Sequence, residues 1–348
     1  MSADTGGGVA QPAPDERAAW ERAAAEGIHA IALPTPFLVG RVNCYLIEDE
    51  PLTLIDTGPN SGKSLDELET RLRGLGHRIE DLELIVLTHQ HMDHLGLVEI
   101  LARRSGARVA AWHELVGYLR HFSAAAATDD AFAMTVMRRH GVPENLATAL
   151  SVGTAAFRAF GSSGEVDRPL HDATVLELAG RSLTALHRPG HSPSDVILHD
   201  PQRRIVIGGD HLLSRVSSNP LVSRPLDGAA GGVGERPHAL QTYIASLRAT
   251  RALDLGLVLG GHGPPVTDHV ALIDERLRMH ARRARKIAGL LDSGPQTAYE
   301  LATSIWATVA VTQAFLTLSE VLGHLDLLVA DGAVVEDDDG EVLRFRLR

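Results

Sequence analysis

The segment Thr88-His89-Gln90-His91-Met92-Asp93-His94 concentrates four metal-ligand side chains in seven residues. It follows the apolar run Leu84-Ile85-Val86-Leu87, which reads as a buried strand. It precedes Leu95 to Arg104, where Leu95, Val98 and Leu101 repeat on one helical face. The ligand types therefore fall on a strand-to-helix turn, where side chains can converge. His89 and His91, two apart on extended chain, point the same way, while Asp93 and His94 turn toward a second point. One ion cannot readily take all four from so short a loop, but two neighbouring ions can. Imidazole and carboxylate suit zinc first, with iron or manganese as alternatives. The competing reading is a polar loop with chance histidines, and the spacing speaks against it.

Three later segments carry the same residue types beside strands. Pro189-Gly190-His191-Ser192 is the first. Gly208-Gly209-Asp210-His211 follows Ile205-Val206-Ile207, and Gly260-Gly261-His262-Gly263 follows Leu257-Val258-Leu259. Glycine beside each suits tight turns at a crowded site.

In order and type, these segments resemble the metallo-β-lactamase superfamily over roughly residues 28 to 270. The resemblance implies a four-layered αββα sandwich. It implies that His89, His91 and His191 hold one divalent ion, that Asp93, His94 and His262 hold a second, and that Asp210 bridges them. Asp93 and Asp210 would be the catalytic carboxylates. Asp56, in Asp56-Thr57-Gly58, would orient a ligand histidine, with a simple turn aspartate as the alternative. Two ions sharing a hydroxide would supply a nucleophile at neutral pH. The expected activity is hydrolysis of an ester, thioester or lactone carbonyl of a small molecule, as in the glyoxalase II-like branch. The alternatives are a phosphodiesterase or endoribonuclease of the lactamase-beta-like type, and a mononuclear iron persulfide dioxygenase. With Asp210 present, β-lactam hydrolysis is not expected, and no Gly-x-Ser-x-Gly nucleophile occurs.

Composition bounds the remaining choices. The 348 residues suffice for one large domain and a small one. The net charge of −11 disfavours a general nucleic-acid or anionic-membrane surface. The lone cysteine, Cys44, excludes an intramolecular disulfide and reads as a buried filler in Val42-Asn43-Cys44-Tyr45-Leu46-Ile47. No apolar stretch reaches the length of a membrane span, and no signal pattern opens the chain, so a cytoplasmic protein is expected.

Residues 1–15 read as a loose tail, 16–274 as the main domain, and 275–348 as a linker helix with an appended domain. Residues 113–170 read as a helical insertion rather than sheet, with Phe122, Phe132, Met134, Met137, Phe157 and Phe160 at helical spacing. They either pack on the core or cap the cleft with an apolar substrate pocket. Residues 212–237, rich in Gly and Ser, read as a mobile loop beside the site. His211 either touches substrate or bonds a backbone carbonyl. The basic run from Arg276 to Lys286 reads as a solvated helix face or an anion-binding rim. From Gly294 onward, helices followed by a hairpin look like a winged helix. With three Arg and no Lys against nine acidic residues, that region is expected to be structural or a homodimer contact rather than a nucleic-acid reader.

Overall fold

The computed structural model describes residues 13–226, 236–338 and 340–348. Most of the expected N-terminal tail, the glycine-rich run 228–234 and Asp339 lie outside the described residues. Six strands form the first sheet in sequence order: β1 (Ile28–Leu33), β2 (Val42–Ile47), β3 (Thr53–Ile55), β4 (Leu84–Val86), β5 (Arg108–Trp112) and β6 (Arg168–Leu170). The β1–β2 and β2–β3 pairs are antiparallel, and β3 through β6 run parallel. The second sheet has the order β11-β10-β9-β8-β7, from β7 (Thr174–Glu177), β8 (Ser182–His187), β9 (Val196–Asp200), β10 (Ile205–Gly209) and β11 (Leu257–Gly260).

The period-two pattern of the second sheet sorts its side chains into two layers. Val196, Leu198, Ile205, Ile207, Leu257 and Leu259 join the first sheet in one hydrophobic core. Ile197, Val206 and Val258 face away and bury with Leu240, Tyr243, Leu247 and Ile273 from helices Ala239–Arg251 and His269–Leu290. On the other side, Leu68 and Leu72 of helix Gly62–Gly74 and Leu101 of helix Val98–Ser105 join the core of the first sheet. Helix, sheet, sheet and helix thus form the expected four layers.

Several local expectations need correction. The stretch after the motif is two short helices, Met92–Leu95 and Val98–Ser105, because residues 96 and 97 break the register. The first helix, Pro14–Ala25, starts inside the expected loose tail, with Pro14 in its first turn. Residues 168–170 are a strand, not part of the helical insertion, and pair with β5 at the sheet edge. The insertion itself is helical (Leu115–Arg120, Phe122–Arg139 and Glu144–Phe157). Its members do not share one role. Phe122 is buried in the main core, while Val136, Met137 and Ala147 form a separate cluster with Ala298, Leu301, Leu318, Leu322 and Phe345. Half of the insertion is therefore cored by the C-terminal segment. That segment comprises helices Ala298–Trp306, Thr308–Thr312 and Ala314–Ala330 and an antiparallel hairpin, β12 (Val334–Asp338) with β13 (Leu343–Leu347). Among the described residues no helix is long and apolar enough to cross a membrane.

Candidate metal centre

The sequence folds its ligand types to one edge of the sandwich. The motif follows β4, His191 lies beyond β8, and Asp210 and His262 directly follow the parallel strands β10 and β11 or lie two residues beyond. The two sheets are tied together there. Asn43 N–H donates to the Gly261 carbonyl at 2.7 Å, and Val196 N–H donates to the Thr88 carbonyl at 2.9 Å.

His89, His91 and His191 bring one ring nitrogen each to a common point, as do Asp93, His94 and His262 with one ligand atom each. His91 Nδ1 lies 3.1 Å from His89 Nε2 and 2.9 Å from His191 Nε2. Asp210 faces both groups. Its Oδ1 is 3.4 Å from His94 Nε2, and its Oδ2 is 3.5 Å from both His191 Nε2 and His262 Nε2. Asp93 Oδ2 lies 3.3 Å from His262 Nε2. All of these side chains are buried except His91, which is partly exposed.

The opposite ring nitrogens of His89, His94, His191 and His262 are each committed to an acceptor. His94 Nδ1 donates to Asp56 Oδ2 at 2.7 Å, His191 Nδ1 to the Asn219 carbonyl at 3.0 Å, and His262 Nδ1 to the Arg41 carbonyl at 2.8 Å. Thr88 donates its hydroxyl hydrogen to Asp56 Oδ2 at 2.8 Å, which leaves its oxygen to accept from His89 Nδ1 at 3.0 Å. These bonds place the proton on Nδ1 and turn a lone pair inward on Nε2. Around His91 Nδ1, two inward lone pairs then compete for at most one hydrogen. His94 Nε2, His262 Nε2 and Asp210 Oδ1 are buried with no hydrogen-bond partner. Buried polar atoms left this way are costly. A divalent cation would resolve each conflict, so the residues fit such an ion.

Charge favours the same conclusion. Burial holds His89 well below the ordinary histidine range and takes His91 down to about 3, so both are neutral at pH 7. Burial opposes ionisation of Asp210, but the neighbouring His262 and His94 outweigh it and hold the carboxyl well below its usual range. Burial likewise opposes a charge on His94, yet Asp210, Asp56 and Asp93 outweigh it and raise its pKa. The carboxylates that draw a proton to His94 would draw a cation in its place. Space is also reserved. A Cβ on Gly261 would lie 2.3 Å from Asp210 Oδ1 and 2.6 Å from His94 Cε1.

Asp56 sits at φ 58°, a left-handed conformation that Asp tolerates better than most residues, with its carboxylate on Thr88 and His94. His211 does not face the cleft. It is buried against the Thr250 hydroxyl at 2.8 Å, because helix Ala239–Arg251 covers that side of the sheet. Arg276 is neither solvated nor a rim. It is buried and donates to the carbonyls of Leu213, Ser214 and Val216. His280, Glu320 and His324 also cluster. There, His324 Nδ1 donates to the Glu320 carbonyl at 2.6 Å, His280 Nδ1 fills His324 Nε2 at 3.2 Å, and Arg283 already pairs with Glu320. That group is a hydrogen-bond chain beside a cation, a poor place for a second positive charge. The sequence reading missed the Thr88 hydroxyl and the Arg41 and Asn219 carbonyls. Thr88 adjoins the motif and was within reach, whereas a backbone oxygen carries no sequence signal.

Residues 38–262 match the family model described as the metallo-beta-lactamase superfamily. The chain belongs to that superfamily and is a hydrolase of it. It is 33% identical over 322 residues to the probable metallo-hydrolase YqjP of Bacillus subtilis, covering 92% of this chain and 98% of that protein. It is 25% identical to the hydroxyacylglutathione hydrolase GloC of Haemophilus influenzae, over 67% of this chain and 90% of that one. A crystal structure of a metallo-beta-lactamase family protein from Thermus thermophilus superposes with a TM-score of 0.76 at 27% identity, over 92% of this chain and 99% of the other.

Proposed function

We propose that the protein hydrolyses an ester, thioester or lactone carbonyl of a small molecule with two divalent ions, zinc in the first instance, in the cytoplasm. The observation that carries this reading is Asp210, whose two oxygens face both groups of ligand atoms. His89 Nε2, His91 Nδ1 and His191 Nε2 would hold one ion, and Asp93, His94 Nε2 and His262 Nε2 the other. Bound there, the ions would supply Lewis acidity and lower the pKa of water toward ~7. The chain's own residues do the rest. Asp210 fixes the spacing of the two ligand groups. Asp56, Thr88 and the Asn219 and Arg41 carbonyls hold His94, His89, His191 and His262, in that order, in the ligating tautomer. Asp93, whose Oδ2 lies 3.3 Å from His262 Nε2, would use its carboxylate to take the proton released as water attacks.

The carbonyl class draws support from GloC, named for hydrolysis of hydroxyacylglutathione. The rings of Phe37 and Phe157 lie 5.6 Å apart, and Leu38 beside them is 88% exposed. Phe37 lies on the loop that runs to Arg41, whose carbonyl holds His262. Phe160, 6.2 Å from Phe37, binds Asn60 N–H through its carbonyl at 2.7 Å. This apolar corner suits an acyl group. We assign residues 16–274 to the catalytic domain and 275–348 to the linker helix and a winged-helix-like domain that acts in support or in a homodimer rather than on nucleic acid. The excess of acidic residues from 294 onward supports the last point.

The test is hydrolysis of an acyl thioester, an aryl ester, a lactone, a bis-aryl phosphodiester and a short RNA by wild type and Asp210→Ala. Carbonyl turnover that disappears in the variant is expected. Turnover confined to the phosphodiester or RNA would overturn the assignment.

A further inference from the structure

Residues 211 to 226 contain no regular secondary structure, yet both of their sides are fixed by polar contacts. Toward the ligand cluster, the Asn219 carbonyl accepts from His191 Nδ1 at 3.0 Å, Leu221 N–H donates to the His191 carbonyl at 3.4 Å, and the Ser218 hydroxyl donates to the Asp210 carbonyl. Toward the C-terminal segment, Asn219 Nδ2 donates to the Leu316 carbonyl at 3.0 Å, and Val222 N–H to Ser319 Oγ at 3.3 Å. Val222 is buried in the cluster built by the C-terminal helices. The linker helix adds Arg276, which spans three carbonyls of the same stretch.

One residue thus has its two ends in two places. Its main chain holds a ligand histidine, and its side chain is held by helix Ala314–Ala330, 97 residues later in the chain. We propose that this helix is a working part of the metal centre, and that Asn219 is the positioning residue through which it fixes the tautomer and ring orientation of His191. The inference rests on the assignment of His191 as a ligand. Partners that orient ligand histidines typically matter at about 10- to 100-fold in metal affinity. Losing the hydrogen bond from the Asn219 side-chain amide to Leu316 removes the side-chain restraint on the residue whose carbonyl sits beneath His191.

The experiment uses the full chain, stripped of metal and titrated with zinc against a chelator. Asn219→Ala removes the amide and keeps the carbonyl. Asn219→Asp keeps the shape and sets an oxygen against the Leu316 carbonyl, so it serves where the alanine variant fails to fold. Each should weaken one of two bound zinc ions by about 10- to 100-fold, leave the other within about threefold, and leave the melting temperature of the metal-free protein near wild type. Cobalt absorption should change for one site only, and excess zinc should restore hydrolysis. Both ions bound as tightly as in wild type would overturn the inference. So would a loss of affinity that tracks a loss of fold in the metal-free protein. Wild type that binds no zinc would instead overturn the functional reading, and this inference with it.

Discussion

Replacing Asp56 by Asn changes one atom at a position where the structure allows no compensation. Asp56 Oδ1 accepts from Thr88 N–H at 2.8 Å, and Oδ2 accepts from both the Thr88 hydroxyl at 2.8 Å and His94 Nδ1 at 2.7 Å. In Asp56→Asn the oxygen stays with the Thr88 amide, and an NH2 group meets two donors. Thr88 can turn its hydroxyl to accept, but it then confronts His89 Nδ1 with a hydrogen. His94 can avoid the clash only by moving its proton to Nε2, the atom aimed at the ligand cluster beside Asp210. A proton there competes directly with a metal ion. The expected loss is about 10- to 100-fold in affinity at the His94 site, or about 1.4 to 2.8 kcal/mol. Asp56 is only 2% exposed, so water cannot relieve the mismatch. Zinc titration against a chelator reads this directly, with the metal-free melting temperature as control. Two ions held within about twofold of the wild-type affinity would refute the reasoning.

Other outcomes follow from the same geometry. Gly261→Ala should empty at least one metal position, because its Cβ would lie within 2.6 Å of Asp210 Oδ1 and His94 Cε1; normal zinc stoichiometry by elemental analysis would contradict this. In Gly96→Ala the Cβ would fall 2.2 Å from the Asn60 nitrogen and the Phe160 carbonyl oxygen, both backbone. A destabilisation of about 3 kcal/mol or more is expected, and a denaturant midpoint near wild type would count against the packing described. Burial lowers the pKa of His140 to about 3, against an ordinary value near 6.5. Its stabilising contribution is therefore full above pH ~6.5 and shrinks as pH falls toward 3, by roughly 1.4 kcal/mol per pH unit at most. His140→Phe keeps an aromatic ring stacked on Phe345 and should flatten the acid limb of the metal-free stability curve between about pH 6.5 and 4.5; an unchanged limb would refute it.

The strands and ligand types were legible in the sequence for a local reason. The expected runs 205–207 and 257–259 lie in β10 and β11, because an apolar run is a property of neighbouring residues. The placing of His89 and Asp210 follows the same logic, since each lies shortly past an apolar strand whose end fixes where the chain turns. What failed was non-local. The strand Arg168–Leu170 forms only by pairing with β5, and its own Pro169 argues against it in isolation. Arg276 looks solvated until the loop it spans is folded beneath it. Met137 and Phe122 share a helical period but enter different cores, because the C-terminal helices supply the second one. The roles of Arg41 and Asn219 rest on carbonyl oxygens, which every residue has.

The proposed metal-dependent carbonyl hydrolysis at this cluster can be measured against metal content. The most direct test strips the purified chain with chelator, returns zinc in measured increments, and follows thioester and ester turnover against ions bound. Turnover absent from the stripped protein, rising as zinc binds and complete at two ions per chain, is the expected result. Full turnover by the stripped protein, or two bound zinc ions with no hydrolysis of any carbonyl substrate in the panel, would contradict it.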